Sequence, residues 1–231
     1  NMAGRGALTE APRLSSDHVW KLDKNNHWVP GVEPIHFDRP NTGVGPGLAF
    51  ARVMADADPS AGIGLIPCAE GGSPLARWEP GKDLYARAVA RTRAALAMGG
   101  RLRGILWHQG EADSWSREKA ESYAVRLTNM VTHLRAEFGA PDVPFLAGEV
   151  GLHYATSIEK RGGKAFVTTV NDQIHQAVAS LPAAGYASAE GLEPGPDGIH
   201  FTAESASELG RRYAAALQAL RVSGRREAEG D

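Results

Sequence analysis

One cysteine, Cys68, stands among the 231 residues, so the chain can build neither an internal disulfide nor a multi-cysteine zinc site. No apolar run approaches the roughly 20 residues that a membrane-spanning helix needs. No Lys/Arg run or basic stripe is present, and net charge is −2, so the electrostatic footprint of a nucleic-acid binder is missing. The basic pair Arg225-Arg226 falls in a polar stretch. Internal repeats and low-complexity segments are absent too. The glycines of Gly43-Val44-Gly45-Pro46-Gly47 are not followed by Gly-Lys-Ser/Thr, which argues against a phosphate loop. No signal peptide is visible, and the sequence does not open on Met, so an upstream segment is expected. The lack of disulfides leaves the compartment open, because secreted proteins can also do without them.

What is present suits one globular domain. Hydrophobic residues make up 42% and charged residues 23%, enough for a sizeable core over residues 1–222, with 223–231 as a polar tail. Residues 7–41 are rich in Pro, Asp, Asn and His, and read as a long ordered loop carrying Trp20 and Trp28. Short apolar runs predict buried strands at 63–68, 103–107, 143–150 and 186–189. Helical spacing predicts helices near 48–54, over 83–98, over 116–138 with Ser116 as cap, over 166–181 and over 203–220. Alternating strand and helix implies an α/β fold with a parallel sheet covered on both faces.

Three strand ends carry the chemistry. The first runs into Gly71-Gly72, where small residues let backbone N–H groups approach a ligand. The second runs into His108-Gln109-Gly110-Glu111. The third leads to Pro196-Asp197-Gly198-Ile199-His200, where His200 offers a base and Asp197 can orient it. Taken alone, that pair reads more readily as an exposed turn with a capping Asp. Backbone N–H groups plus the Gln109 amide can hold a developing oxyanion. A nucleophile is lacking. A metal site from His108, His36 and Asp38 fits no ligand spacing, and a polar loop role suits His108 better. His153 and His175 read as surface or helix residues. Trp20, Trp28, Trp78 and Trp115 read mainly as packing, although one or two near the site could stack on a sugar.

The blocks Asn1-Met2-Ala3-Gly4-Arg5-Gly6, Pro67 to Ser73, Trp107-His108-Gln109-Gly110-Glu111 and Asp197-x-x-His200 resemble the SGNH (GDSL-like) hydrolases. More narrowly they resemble the branch of carbohydrate esterase family six and the sialate O-acetylesterase-like proteins, in which the first block reads Gly-Gln-Ser-Asn-Met-Ala-Gly-Arg-Gly. The segment from Glu33-Pro34 through His36-Phe37-Asp38 to Gly47 also fits that branch. The resemblance implies a three-layer α/β/α sandwich with a flavodoxin-like parallel sheet of about five strands. It implies a serine immediately before Asn1 as nucleophile and, upstream of it, a first strand lying between those at 63–68 and 103–107. Ser15, Ser16 and Ser73 do not occupy the matching position. His200 would be the base and Asp197 its orienter. Gly72 or Gly71, with Gln109, would form the oxyanion hole, and Glu111 would brace the serine loop at Asn1 or bias His200. The activity implied is removal of O-acetyl groups from a small or polymeric carbohydrate, acetylxylan-esterase-like, without metal or cofactor and without nucleic-acid or membrane partners. A sialate O-acetylesterase, a broad small-acyl arylesterase, and a sugar-binding module without a nucleophile remain open. The substrate class favours a secreted or periplasmic setting, and oligomeric state is not indicated.

Overall fold

The structure, a computed structural model, describes residues 1–8 and 17–229, with side chains described up to residue 222. In chain order the elements are β1 (Val19–Leu22), β2 (Trp28–Pro30), α1 (Pro46–Ala57), β3 (Ile63–Leu65), α2 (Asp83–Ala97), β4 (Ile105–Trp107), α3 (Arg117–Glu121), α4 (Tyr123–Glu137), β5 (Phe145–Gly148), α5 (His153–Lys160), α6 (Val167–Ser180), β6 (Ala184–Ala187) and α7 (Ala203–Glu229). A 3-10 turn covers Leu75–Arg77.

The α/β class is as expected, but the described strands form two sheets of three. One has the order β2-β1-β3 and the other β4-β5-β6. The second is parallel throughout. In the first, β1 pairs parallel with β3 and antiparallel with β2. That hairpin corrects the reading of residues 7–41 as loop. Asp23 Oδ1 accepts the N–H groups of Asn25 and His27, both at 2.8 Å, and closes the turn between strands too short to show a period. Ile63 and Leu65 of β3, and Ile105 and Leu106 of β4, are half-buried rather than buried. The reason is that both strands line one cavity of about 1110 Å³.

Strand alternation explains the layers. On β5, Phe145 and Ala147 face one core, built with Leu127, Met130 and Val131 of α4 and Val170 and Ile174 of α6. Leu146, pointing the other way, joins Leu48 and Met54 of α1 with Leu209 and Tyr213 of α7. Helices therefore cover both faces of β5, as a three-layer sandwich requires. Gly210 lets α7 close on α1: a Cβ there would lie 2.3 Å from the Pro46 carbonyl oxygen. The helix expected over 116–138 is broken at Ser122, whose hydroxyl bonds back to Glu118 O at 2.8 Å. Ser116 does cap α3. Helix α5 was not foreseen, and α7 runs past Leu220 to Glu229. Loops after β3, β4 and β6 leave the C-terminal strand ends, where sites in open α/β folds assemble.

Candidate active site

The loop between β6 and α7 folds around the Asp197 carboxylate. Its Oδ1 accepts the backbone N–H of Ile199 at 2.8 Å and of His200 at 3.0 Å. Gly198, at φ +67°, takes the left-handed conformation that the turn needs. Asp197 Oδ2 lies 2.6 Å from His200 Nδ1. The carboxylate assigns the proton to Nδ1, so Nε2 carries the lone pair that a base requires. Burial would raise the Asp197 carboxyl, but the bonds from His200 and the two N–H groups outweigh it and hold the group at about 2. His153, expected as a surface or helix residue, opens α5 and packs edge-on against Phe201 at 5.1 Å, with Nε2 3.2 Å from Ile199 O. Arg161 donates to Asp197 O at 2.8 Å.

Gly71 and Gly72 differ in their backbone bonds. The Gly71 N–H donates to Asp38 Oδ2 at 2.8 Å. Gly72, at φ +74°, has no partner for its N–H among the described residues. Asp38 is the anchor here. It also takes Arg5 Nη2 at 2.8 Å and Thr42 Oγ1 at 2.9 Å. Burial opposes its ionisation, yet Arg5, Gly71 and Thr42 together lower its pKa. The carboxylate therefore ties the Asn1–Gly6 segment to the glycine turn.

Gln109 is buried, and its amide is fully engaged. Nε2 donates to Ser73 O at 3.1 Å and to Asp113 Oδ2 at 2.8 Å, while Oε1 accepts from Tyr123 Oη at 2.8 Å. Asp113, wholly buried, also takes Leu75 N and Arg126 Nη1. Glu111 Oε1 accepts from Asn1 Nδ2 at 2.7 Å. His108 is buried against Phe201, and its Nε2 has no partner among the described residues; burial drops its pKa to about 3 and keeps it neutral. Asn1, Gly71, Gly72, Gln109, Glu111 and His200 all line the 1110 Å³ cavity, and Asp197 stands behind His200.

The Ser73 hydroxyl is engaged elsewhere: it donates to Glu70 O and accepts the Trp78 indole N–H. Ser15 and Ser16 lie outside the described residues. Among the described residues no group of three His, Cys, Asp or Glu is placed to hold a metal. Asp38 and Asp113 carry the site's scaffolding, and sequence reasoning gave them no such part. A lone Asp has no signature of burial until the fold surrounds it with donors.

Comparison with known proteins turns this layout into a class, the carbohydrate esterases. A family model described as "Carbohydrate esterase, sialic acid-specific acetylesterase" matches residues 1–219, and the chain belongs to that family. A probable carbohydrate esterase of Arabidopsis thaliana is 31% identical over 240 residues, covering 94% of this chain and 86% of that protein. The X-ray structure of that Arabidopsis protein superposes with a TM-score of 0.84 at 29% identity, over 94% of this chain and 93% of the other. A probable 9-O-acetyl-N-acetylneuraminic acid deacetylase of Escherichia coli K12 is 30% identical over 135 residues, 46% of this chain and 41% of that one. The fold is also that of a carbohydrate acetylesterase from Xanthomonas citri, with TM-score 0.66 and 19% identity over 90% of this chain and 50% of that one.

Proposed function

We propose that the protein is a serine esterase that removes O-acetyl groups from carbohydrate through an acyl-enzyme, in the manner of an acetylxylan esterase. The observation that carries this is the 2.6 Å Asp197–His200 pair beside a cavity lined by Gly72 and Gln109. The nucleophile is a serine directly preceding Asn1, as the Gly-Gln-Ser-Asn-Met-Ala-Gly-Arg-Gly block requires. His200 Nε2 takes its proton as the oxygen attacks the ester carbonyl, and then protonates the departing sugar hydroxyl. Asp197 holds the ring and stabilises the imidazolium. The oxyanion is met by the Gly72 N–H and the serine's own N–H. Gln109 joins them by exchanging its longer bond, that to Ser73 O, for the substrate oxygen. A water activated by His200 then releases acetate. Glu111 braces the serine loop through Asn1.

The same reading supplies a strand ahead of the serine, between β3 and β4. It would fill the part of the cavity lined by their half-buried apolar residues and leave the part lined by the loops after β3, β4 and β6 to substrate. A sialate O-acetylesterase is the second reading, favoured by the family description and by the Escherichia coli relative's name. The substrate choice is tested by acetate release from acetylated xylan and from 9-O-acetyl-N-acetylneuraminic acid. The mechanism is tested by His200→Ala, which should abolish both activities; turnover near that of the wild type would remove His200 from the mechanism.

A further inference from the structure

Trp115 is 55% exposed, although it is a large apolar side chain on a well-braced turn. The backbone around it is tied down on both sides. Ser114 N donates to Gly110 O at 2.9 Å, Ser114 Oγ donates to Glu111 O at 2.7 Å, and Ser116 N reaches Asp113 O at 3.3 Å. The ring is oriented as well. Its indole N–H donates at 2.7 Å to the hydroxyl of Tyr154, a residue 7% exposed. Gly163 lies alongside it, where a Cβ would meet the ring edge at an ordinary 3.8 Å. Trp115 and Tyr154 line the same cavity as His200 and Glu111.

Packing does not account for this arrangement. Trp78 and Trp107 are buried and cross edge-to-face at 5.3 Å. Trp28 lies against Gly64. Trp20, the other exposed tryptophan, also borders the cavity, but from β1, which pairs with β3 rather than with β4, the strand whose loop carries Glu111 and Trp115. Trp115 instead holds an apolar face in water beside the site, with its one polar atom already bonded. Such a face suits the C–H side of a pyranose ring. Its fixed orientation also means that little freedom is lost when a ligand covers it. We infer that Trp115 is the platform on which the pyranose ring bearing the scissile ester stacks, and that Tyr154 sets the plane of that platform. This rests on the carbohydrate-esterase reading and adds a subsite to it.

The test uses the full natural protein and a specificity ratio. That ratio is kcat/KM for an acetylated methyl xylopyranoside, or for 9-O-acetyl-N-acetylneuraminic acid, divided by kcat/KM for ethyl acetate, which has no ring to stack. Trp115→Ala should lower the ratio about tenfold, chiefly through KM for the sugar ester. Trp115→Phe should keep most of it, and Tyr154→Phe should give an intermediate loss. A ratio unmoved in Trp115→Ala overturns the platform, whether both activities persist or both fall by one factor. Failure of the parent reading looks different: the wild type would turn over ethyl acetate and neither sugar ester, and the platform would fall with it.

Discussion

Replacing Asp38 by Asn changes one atom's chemistry and leaves the volume intact. The Asp38 side chain is fully buried, and that of its partner Arg5 is 9% exposed, so the pair is screened from water. Asp38 receives Arg5, the Gly71 N–H and the Thr42 hydroxyl. An amide in its place has one accepting oxygen and an NH2 that must face one of these donors. Turned either way, the NH2 confronts a guanidinium N–H: Arg5 Nη2 together with the Gly71 N–H on one side, or Arg5 Nη1 together with the Thr42 hydroxyl on the other. Removing one partner of a buried pair costs about 3–5 kcal/mol, because the other charge stays buried and unmatched. For a chain of this length each kcal/mol moves Tm by about 2–4 °C, so a fall of roughly 6–12 °C is expected at the lower cost. Scanning calorimetry and a urea midpoint measure it. Activity should fall as well, by about 10–100-fold in kcat, since Gly71 would lose the anchor that positions the Gly72 N–H. Adding Arg5→Met should recover part of the stability, because the uncompensated charge is then gone. A Tm for Asp38→Asn within about 2 °C of wild type would refute the buried-pair reasoning.

Asp197→Asn should preserve the fold, since Asp197 is half exposed, and lower kcat by about 10²–10⁴-fold by losing both the tautomer control and the stabilisation of the imidazolium. Steady-state kinetics on an acetyl ester measure this, and a loss under threefold would deny Asp197 the orienting role. Stability should rise from pH 4.5 to about 6.5. Burial holds His36 near 4 and His108 near 3, so unfolding takes up two protons there, whereas Glu33, raised by burial to about 7, releases one. The net of one proton gives about 1.4 kcal/mol per pH unit, reversing slightly between 6.5 and 7 where Glu33 alone titrates. Urea midpoints across that range test it, and a flat profile would contradict these burial assignments.

Long periodic elements were legible because one face of each is buried. The apolar stripe Tyr123, Leu127, Met130, Val131 and Leu134 is the face of α4 in the core. Short elements were not. Strands β1 and β2 have four and three residues, too few for a period, and their turn is set by the Asp23 side chain. The break at Ser122 comes from one hydroxyl bonding back one turn. The Asp197–His200 turn was visible as a short motif because both partners share one loop. The Asp38–Arg5–Gly71 clamp spans 33 residues on each arm and exists only once three segments meet. Exposure of Trp115 and burial of Trp78 likewise depend on the fold, because the residue type is the same in both.

The proposed mechanism turns on which atom is acylated. The full natural protein, treated with a fluorophosphonate and digested, should carry one phosphonyl group on the serine directly preceding Asn1, in the peptide running on through Met2 to Arg5. Labelling should be slowed strongly in His200→Ala. An adduct on Ser73 or elsewhere, or full esterase activity persisting in the labelled protein, would contradict the mechanism.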